Sequence, residues 1–221
     1  MDVITKLKRD IVLTAYNAKE GHIPSALSCV KIIWELFHYE MSANDTFILS
    51  KGHGCLALYV VLAEKNIIPK EYLDDFCKFN SELGGHPDSN KIPCVVASTG
   101  SLGHGLPIGV GMALAKKIKG ESGRIYVLMG DGECNEGTTW ESALLIRQLG
   151  LDNITCYVDS NNSSAINLSR LQTMFEYVSD CFYVLKTTKG DGVSMMEDNP
   201  EKWHHGTPNK EELDNILNEL K

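Results

Sequence analysis

An α/β domain built on a parallel sheet is what this 221-residue sequence predicts, and three observations carry the prediction. "RIYVLMG" and "NITCYVD" are continuous apolar runs, the pattern of strands with both faces buried. The stretch Glu136–Leu149 between them reads as a helix, and strand–helix–strand implies a parallel pair joined by a right-handed crossover. Helical and strand patterns also alternate along the remaining chain. Neither an internal repeat nor a low-complexity linker interrupts residues 1–221, so a single domain is expected.

Taken in order, Val3–Lys19 is amphipathic, with Ile4, Leu7, Ile11 and Ala15 on one helical face. Ser25–Tyr39 is expected to form a second helix, with Ser25 as its N-cap. "TFILS" is a short strand leading into the helix "KGHGCLALYVVLAEKN". "PKEYLDDFCKF" starts with proline, a residue favoured in first helical turns, and a helix is expected there. The glycine- and proline-bearing stretch Asn80–Gly100 reads as ordered loop, followed by a small-residue helix over Leu102–Ile118. "LSRLQTMFEYVSD" carries Leu168, Leu171, Phe175 and Val178 near one helical face, and "CFYVLKTTK" is a further strand. Asn209 and Glu212 have the spacing of a capping box at the start of a last helix.

The net charge of −8, with no basic stretch, argues against nucleic-acid binding and suits solubility. No apolar run reaches membrane-spanning length, and the first ten residues lack a signal-peptide core. Seven cysteines without a C-x-x-C pair fit free thiols in a reducing compartment better than a disulfide framework. A cytoplasmic protein that binds neither nucleic acid nor membrane is expected.

Asp131 stands between Gly130 and Gly132 where an apolar strand ends. Asp-Gly is ordinary turn chemistry, so a tight turn is one reading. A ligand site is the other, because open parallel sheets bind ligands beyond the carboxyl ends of their strands. Asn161 ends the next strand, one crossover later. A carboxylate, an amide oxygen and a backbone carbonyl are the hard donors that Mg²⁺ or Ca²⁺ prefers, and phosphates commonly complete such a shell. Gly130 and Gly132 would then let a diphosphate approach the backbone, with a helix N-terminus behind it.

"GDGECNEG" followed by "YVDSNN" resembles the thiamine diphosphate motif. With "GHIPSALSCVKIIWELF", "ILSKGHGCLALY", "GGHPD", "STGSLGHGLPIGVGMALA" and "KTTKGDGVSMMEDNPEKWHHGTP", it makes most of the chain similar to the N-terminal, diphosphate-binding half of transketolase. The resemblance implies a three-layer, doubly wound, mainly parallel sheet of the diphosphate-binding type. It implies that Asp131 and Asn161 bind Mg²⁺ (or Ca²⁺), with the carbonyl of Ser163 as a third ligand. Gly130 and Gly132 would meet the diphosphate, and Gly100 and Leu102 the aminopyrimidine. His53 and His205 match histidines beside the diphosphate and reaction centre, while His22 and His86 match histidines that hold ketose hydroxyls. Glu136 matches a buried glutamate linked to the catalytic glutamate across a subunit interface. The role of His104 stays open between a helix cap and a site residue.

The reaction so implied moves a two-carbon ketol unit from a ketose, free or phosphorylated, to an aldose or ketone acceptor. The pyrimidine-binding half, with its catalytic glutamate, is not in this sequence and is expected on a separate C-terminal subunit, in an α₂β₂ assembly. Leu102–Ile118 and Glu136–Leu149 are the expected interface helices. The chain departs from the family after "DSNNSS", where a strand–helix portion is missing and the C-terminal part is shortened. Another split thiamine diphosphate enzyme (a 2-oxo acid dehydrogenase component or a deoxyxylulose-phosphate-synthase-like enzyme) and a noncatalytic assembly subunit remain the competing readings.

Overall fold

The computed structural model describes residues 1–162 and 167–221. In chain order the α-helices are α1 (Val3–Ala18), α2 (Ile23–Glu35), α3 (Cys55–Glu64), α4 (Gly105–Lys119), α5 (Gly137–Leu149), α6 (Leu168–Val178), α7 (Ser194–Asp198) and α8 (Lys210–Glu219). The strands are β1 (Thr46–Leu49), β2 (Ile125–Gly130), β3 (Ile154–Ser160) and β4 (Phe182–Lys186). The chain divides into two compact units, one of Met1–Glu40, His53–Cys94 and Thr188–Lys221, the other of Met41–Gly52 and Val95–Thr187.

The first unit is helical among the described residues. Asp2 caps α1 by accepting from the amides of Ile4 and Thr5, and Lys19 closes it in the left-handed region. Pro24 sits in the first turn of α2, where its missing N–H costs nothing, so the helix opens at Ile23. Ser25 is therefore not the N-cap that its residue type suggests. It lies inside the helix, its carbonyl accepting from Ser28 and Cys29. α3 is buried from Cys55 to Ala63 and packs against both α1 and α2. The helix expected over "PKEYLDDFCKF" shrinks to a 3₁₀ turn at Lys70–Asp75. Cys77 and Asn80 adopt φ of 57° and 61°, and two acids crowd the carbonyl end where the helix dipole disfavours them. α8 has the expected capping box, Asn209 and Glu212 exchanging bonds of 2.9 Å. At its other end Arg9 donates to the carbonyls of Leu217 and Leu220.

The second unit holds a parallel sheet in the order β1-β2-β3-β4. β2 is buried at every residue, as its unbroken apolar sequence requires. Val127, Met129, Cys156 and Val158 join Leu106 and Val110 of α4, Ala143 and Ile146 of α5, and Leu171 and Phe175 of α6 in one core. Phe175 stacks between Trp140 and Phe182, with centroid separations of 4.7 and 4.3 Å. α4 starts at Gly105 rather than Leu102, because Gly103 adopts φ of +75° and cannot continue a helix. No described helix is long and apolar enough to cross a membrane.

Candidate functional site

Two clusters gather the sequence-predicted residues, one in each unit. In the sheet unit, the register pairs Gly130 with Asp159. Asp131 and Asn161 therefore leave the carboxyl ends of adjacent strands. Both are buried, Asp131 at 2% exposure and Asn161 at 9%. Asn162 follows with φ of 68°, a conformation asparagine tolerates, and turns the chain away. Ser163 lies outside the described residues.

Three further residues organise these strand ends, each inside a motif block of the sequence but given no role there. Glu133, 1% exposed, accepts from the Ser50 hydroxyl at 2.5 Å and from the amides of Gly103 at 2.9 Å and Gly130 at 2.8 Å. One carboxylate thus joins the segments that follow β1 and β2 to the loop preceding α4. Burial raises its pKa, against the pull of Ser50 and the two amides. Lys51 and Asp159, both buried, form an ion pair beyond β1 and at the end of β3. Asp159 also accepts from the Thr187 hydroxyl, just beyond β4, and from the Asn161 amide at 3.3 Å. A single carboxylate therefore orients Asn161 and crosses from β3 toward β4. Burial, then the fields of Asp131 and Glu133, push the Cys134 thiol up to about 12, so it stays protonated.

Gly100 and Leu102 lie half-buried in the loop before α4. That loop is fixed by Thr99, whose hydroxyl donates to the Leu49 carbonyl at 2.7 Å. The Gly52 backbone runs so close that a Cβ there would stand 2.8 Å from the Thr99 carbonyl carbon. Glu136, which matches a glutamate linked across a subunit interface, is exposed in the single chain and stands as the N-cap residue of α5. His104 flanks α4 without a side-chain capping bond. Its Nδ1 lies 2.9 Å from the Leu102 carbonyl.

In the helical unit, His22 is the hub of a histidine cluster. Its ring centroid lies 4.6 Å from that of His205, 5.6 Å from His53 and His204, and 6.2 Å from His86. The four histidines expected from the sequence are together, with His204 as an additional member. Backbone pairing explains the convergence, since the Gly206 amide donates to the Gly21 carbonyl and His22 bridges Gly206. The Tyr59 hydroxyl, within α3, lies 3.0 Å from the carbonyls of both Gly84 and His86 and secures the His86 loop. Glu20 pairs with His205 Nε2, and Lys189 lies 3.0 Å from His204 Nδ1. Burial first, then the neighbouring His205, His204 and His86, lower the His22 pKa to about 4. A neutral His22 can donate from one ring nitrogen and accept at the other.

The oxygen donors at the strand ends suit a hard divalent cation, and the buried Lys51 and fixed backbone amides suit a site built around charge. Among the described residues no group of three or more His, Cys, Asp or Glu is arranged to hold a metal. A cation there needs oxygens from amide, backbone or ligand groups as well.

The family described as "Transketolase, thiamine diphosphate binding domain" matches residues 1–184. The chain is 34% identical to one named subunit of the apulose-4-phosphate transketolase of Actinobacillus succinogenes, over 97% of this chain and 92% of that protein. It is 30% identical to the transketolase of Homo sapiens, over 99% of this chain and 41% of that protein. The alignment with the Actinobacillus protein runs over 256 positions against a chain of 221 residues, so the relative has residues this chain lacks. The solved transketolase of Leishmania mexicana has the same fold over 100% of this chain and 41% of its own, with TM-score 0.83 at 23% identity.

Proposed function

Because this chain belongs to the transketolase thiamine diphosphate-binding domain family, we propose that it is the N-terminal subunit of a split transketolase. The observation that carries the proposal is the pair of buried oxygen-bearing side chains, Asp131 and Asn161, at adjacent strand ends. Two relatives that match over nearly their full length are each named as one subunit of an apulose-4-phosphate transketolase, which supports a partner chain. That partner would supply the pyrimidine-binding domain and the catalytic glutamate, in an α₂β₂ assembly. The same names favour a phosphorylated sugar as the substrate class. On this reading residues 1–221 are one diphosphate-type domain, and the enzyme acts on sugars or sugar phosphates in the cytoplasm.

Asp131 and Asn161 would hold Mg²⁺, with Ser163 assigned as the third ligand, and the side-chain-free Gly130 and Gly132 would admit the diphosphate. Glu133 keeps the Gly130 and Gly103 amides at fixed separation, and Asp159 holds the Asn161 amide so that its oxygen is oriented. Gly100 and Leu102 belong to the loop assigned to the aminopyrimidine. Bound thiamine diphosphate supplies carbanion stabilisation, the hard step of ketol transfer.

His22 and His86 are assigned to the hydroxyls of the ketose donor. A neutral His22 donates a hydrogen bond without bringing a charge. His53 and His205 are assigned to the cofactor and reacting groups, with the Glu20 carboxylate paired to His205 Nε2. Exposed Glu136 is assigned to the partner-facing surface, together with α4 and α5, on which Ile108, Leu144 and Leu145 are exposed.

The test is ketol transfer by this chain co-purified with a pyrimidine-binding partner, thiamine diphosphate and Mg²⁺. Product that requires both chains and is lost in Asp131→Ala is the expected result. A stable complex that binds no cofactor overturns the catalytic reading and leaves a purely structural role in assembly.

A further inference from the structure

We propose that Cys181 is a peroxide-reactive thiol whose oxidised form is resolved by Cys156 into a disulfide. The two residues are direct backbone neighbours where β4 begins beside β3, the Cys156 amide donating to the Cys181 carbonyl at 2.8 Å. Cys156 is fully buried in the sheet core, against which the half-buried Cys181 packs.

Cys181 also lines an open pocket of about 400 Å³ with Arg124, Arg147, Thr155, Ser179 and Tyr183, so a small oxidant has a route to its sulfur. The Ser179 hydroxyl lies 3.3 Å from Cys181 Sγ and is placed to donate to it. Arg124 is pinned to β3 through the Ile154 carbonyl at 3.3 Å and the Thr155 hydroxyl at 3.0 Å. Asp152 and Asp180 share the pocket wall. The neighbouring Cys156 thiol first, then the Ser179 hydroxyl and the charge of Arg124, hold Cys181 below the ordinary thiol range despite its burial. Cys55, Cys77, Cys94, Cys134 and Cys156 are all shifted the other way, chiefly by burial. The thiolate is the nucleophile, so the pair divides into an attacking sulfur and a protonated resolving one.

The chemistry balances with hydrogen peroxide as the oxidant. The Cys181 thiolate attacks one peroxide oxygen, the O–O bond breaks, and the departing hydroxide takes a proton to become water. This leaves a sulfenic acid on Cys181. The Cys156 sulfur then attacks Cys181 Sγ as its proton leaves, the S–O bond breaks, and a second water departs. Two thiols are oxidised and one peroxide is reduced.

The test is peptide mass mapping of the full chain after hydrogen peroxide treatment and alkylation. The expected product is a Cys156–Cys181 linked peptide pair lighter by two hydrogens, formed while the more exposed Cys77 and Cys94 still accept the alkylating reagent. In Cys156→Ala a dimedone-trapped sulfenic acid on Cys181 replaces the link, and in Cys181→Ser neither product forms. Cys181→Ser changes a half-buried side chain and keeps the test available if Cys156→Ala fails to fold. Oxidation of Cys77 and Cys94 with Cys181 still free, or oxidation of Cys181 without linkage to Cys156, overturns the proposal.

Discussion

The strand-end cluster and the histidine cluster solve opposite problems. Around the strand ends, Lys51, Glu133 and Asp159 are at most 1% exposed, and their hydrogen bonds run to named backbone or side-chain partners on several segments. Around the histidines, His86, His204 and His205 are exposed, and the rings are held largely by the loops that carry them. Buried charges without partners are costly, so Lys51, Glu133 and Asp159 must be paired for the first region to exist. Imidazoles at the surface carry no such requirement and stay open to a ligand. The supports of the strand-end cluster therefore carry stability, which the exposed histidines do not.

That contrast breaks most visibly at the buried ion pair. Asp159→Ala removes the ion-pair partner of the buried Lys51, and should lower unfolding free energy by about 3–5 kcal/mol, read from urea unfolding. Glu133→Gln should cost about 1–3 kcal/mol, because the new amide donor opposes one of the N–H or O–H groups the carboxylate accepts. The raised Glu133 pKa adds a sign. Its ionisation opposes folding as pH rises through the folded pKa, and the glutamine variant should lose that component of the pH profile.

Smaller effects are expected in the helical unit. Asn209→Ala removes the capping bond to the Glu212 amide and should cost about 1 kcal/mol in the same assay. His22 gives a pH signature. The unfolded chain binds a proton near the ordinary histidine value of 6.5, whereas folded His22 does so only near 4. Stability should therefore fall as pH drops between these values, and His22→Gln should flatten the fall. His204, also lowered, contributes in the same direction and remains in the variant. His86→Ala should change stability by no more than about 0.5 kcal/mol. It should nevertheless raise KM for the ketose donor if the proposed assignment holds. A large stability loss there would erase the distinction between the clusters.

The sequence showed the histidines more readily than their supports. His22, His53 and His86 each follow a glycine in a block with a recognisable neighbour pattern, whereas Glu20 and Lys189 read as ordinary surface charges. Lys51 precedes Gly-His-Gly and looks like part of a turn, since nothing local announces that a lysine is buried against a carboxylate 108 residues away. Glu133 was hidden in the same way, with its hydroxyl partner on a distant strand end and only the Gly130 amide nearby. The apolar strands were legible because burial on both faces leaves an uninterrupted run. Helix starts were less so. Ser25 has the chemistry of a cap, but Pro24 already fits the first turn, and the backbone began earlier.

The aromatic stack in the sheet core has an optical consequence. Trp140 lies at 18° to Phe175 and donates its indole N–H to the Cys134 carbonyl, inside the turn that follows Asp131. The other two tryptophans, Trp34 and Trp203, belong to the helical unit, and Trp203 directly precedes His204. With Trp34 and Trp203 replaced by phenylalanine, Trp140 alone would emit from the sheet unit. Its fluorescence lifetime would then record events at the Asp131 turn without a label, while retaining Trp203 alone would give the matching channel for the histidines.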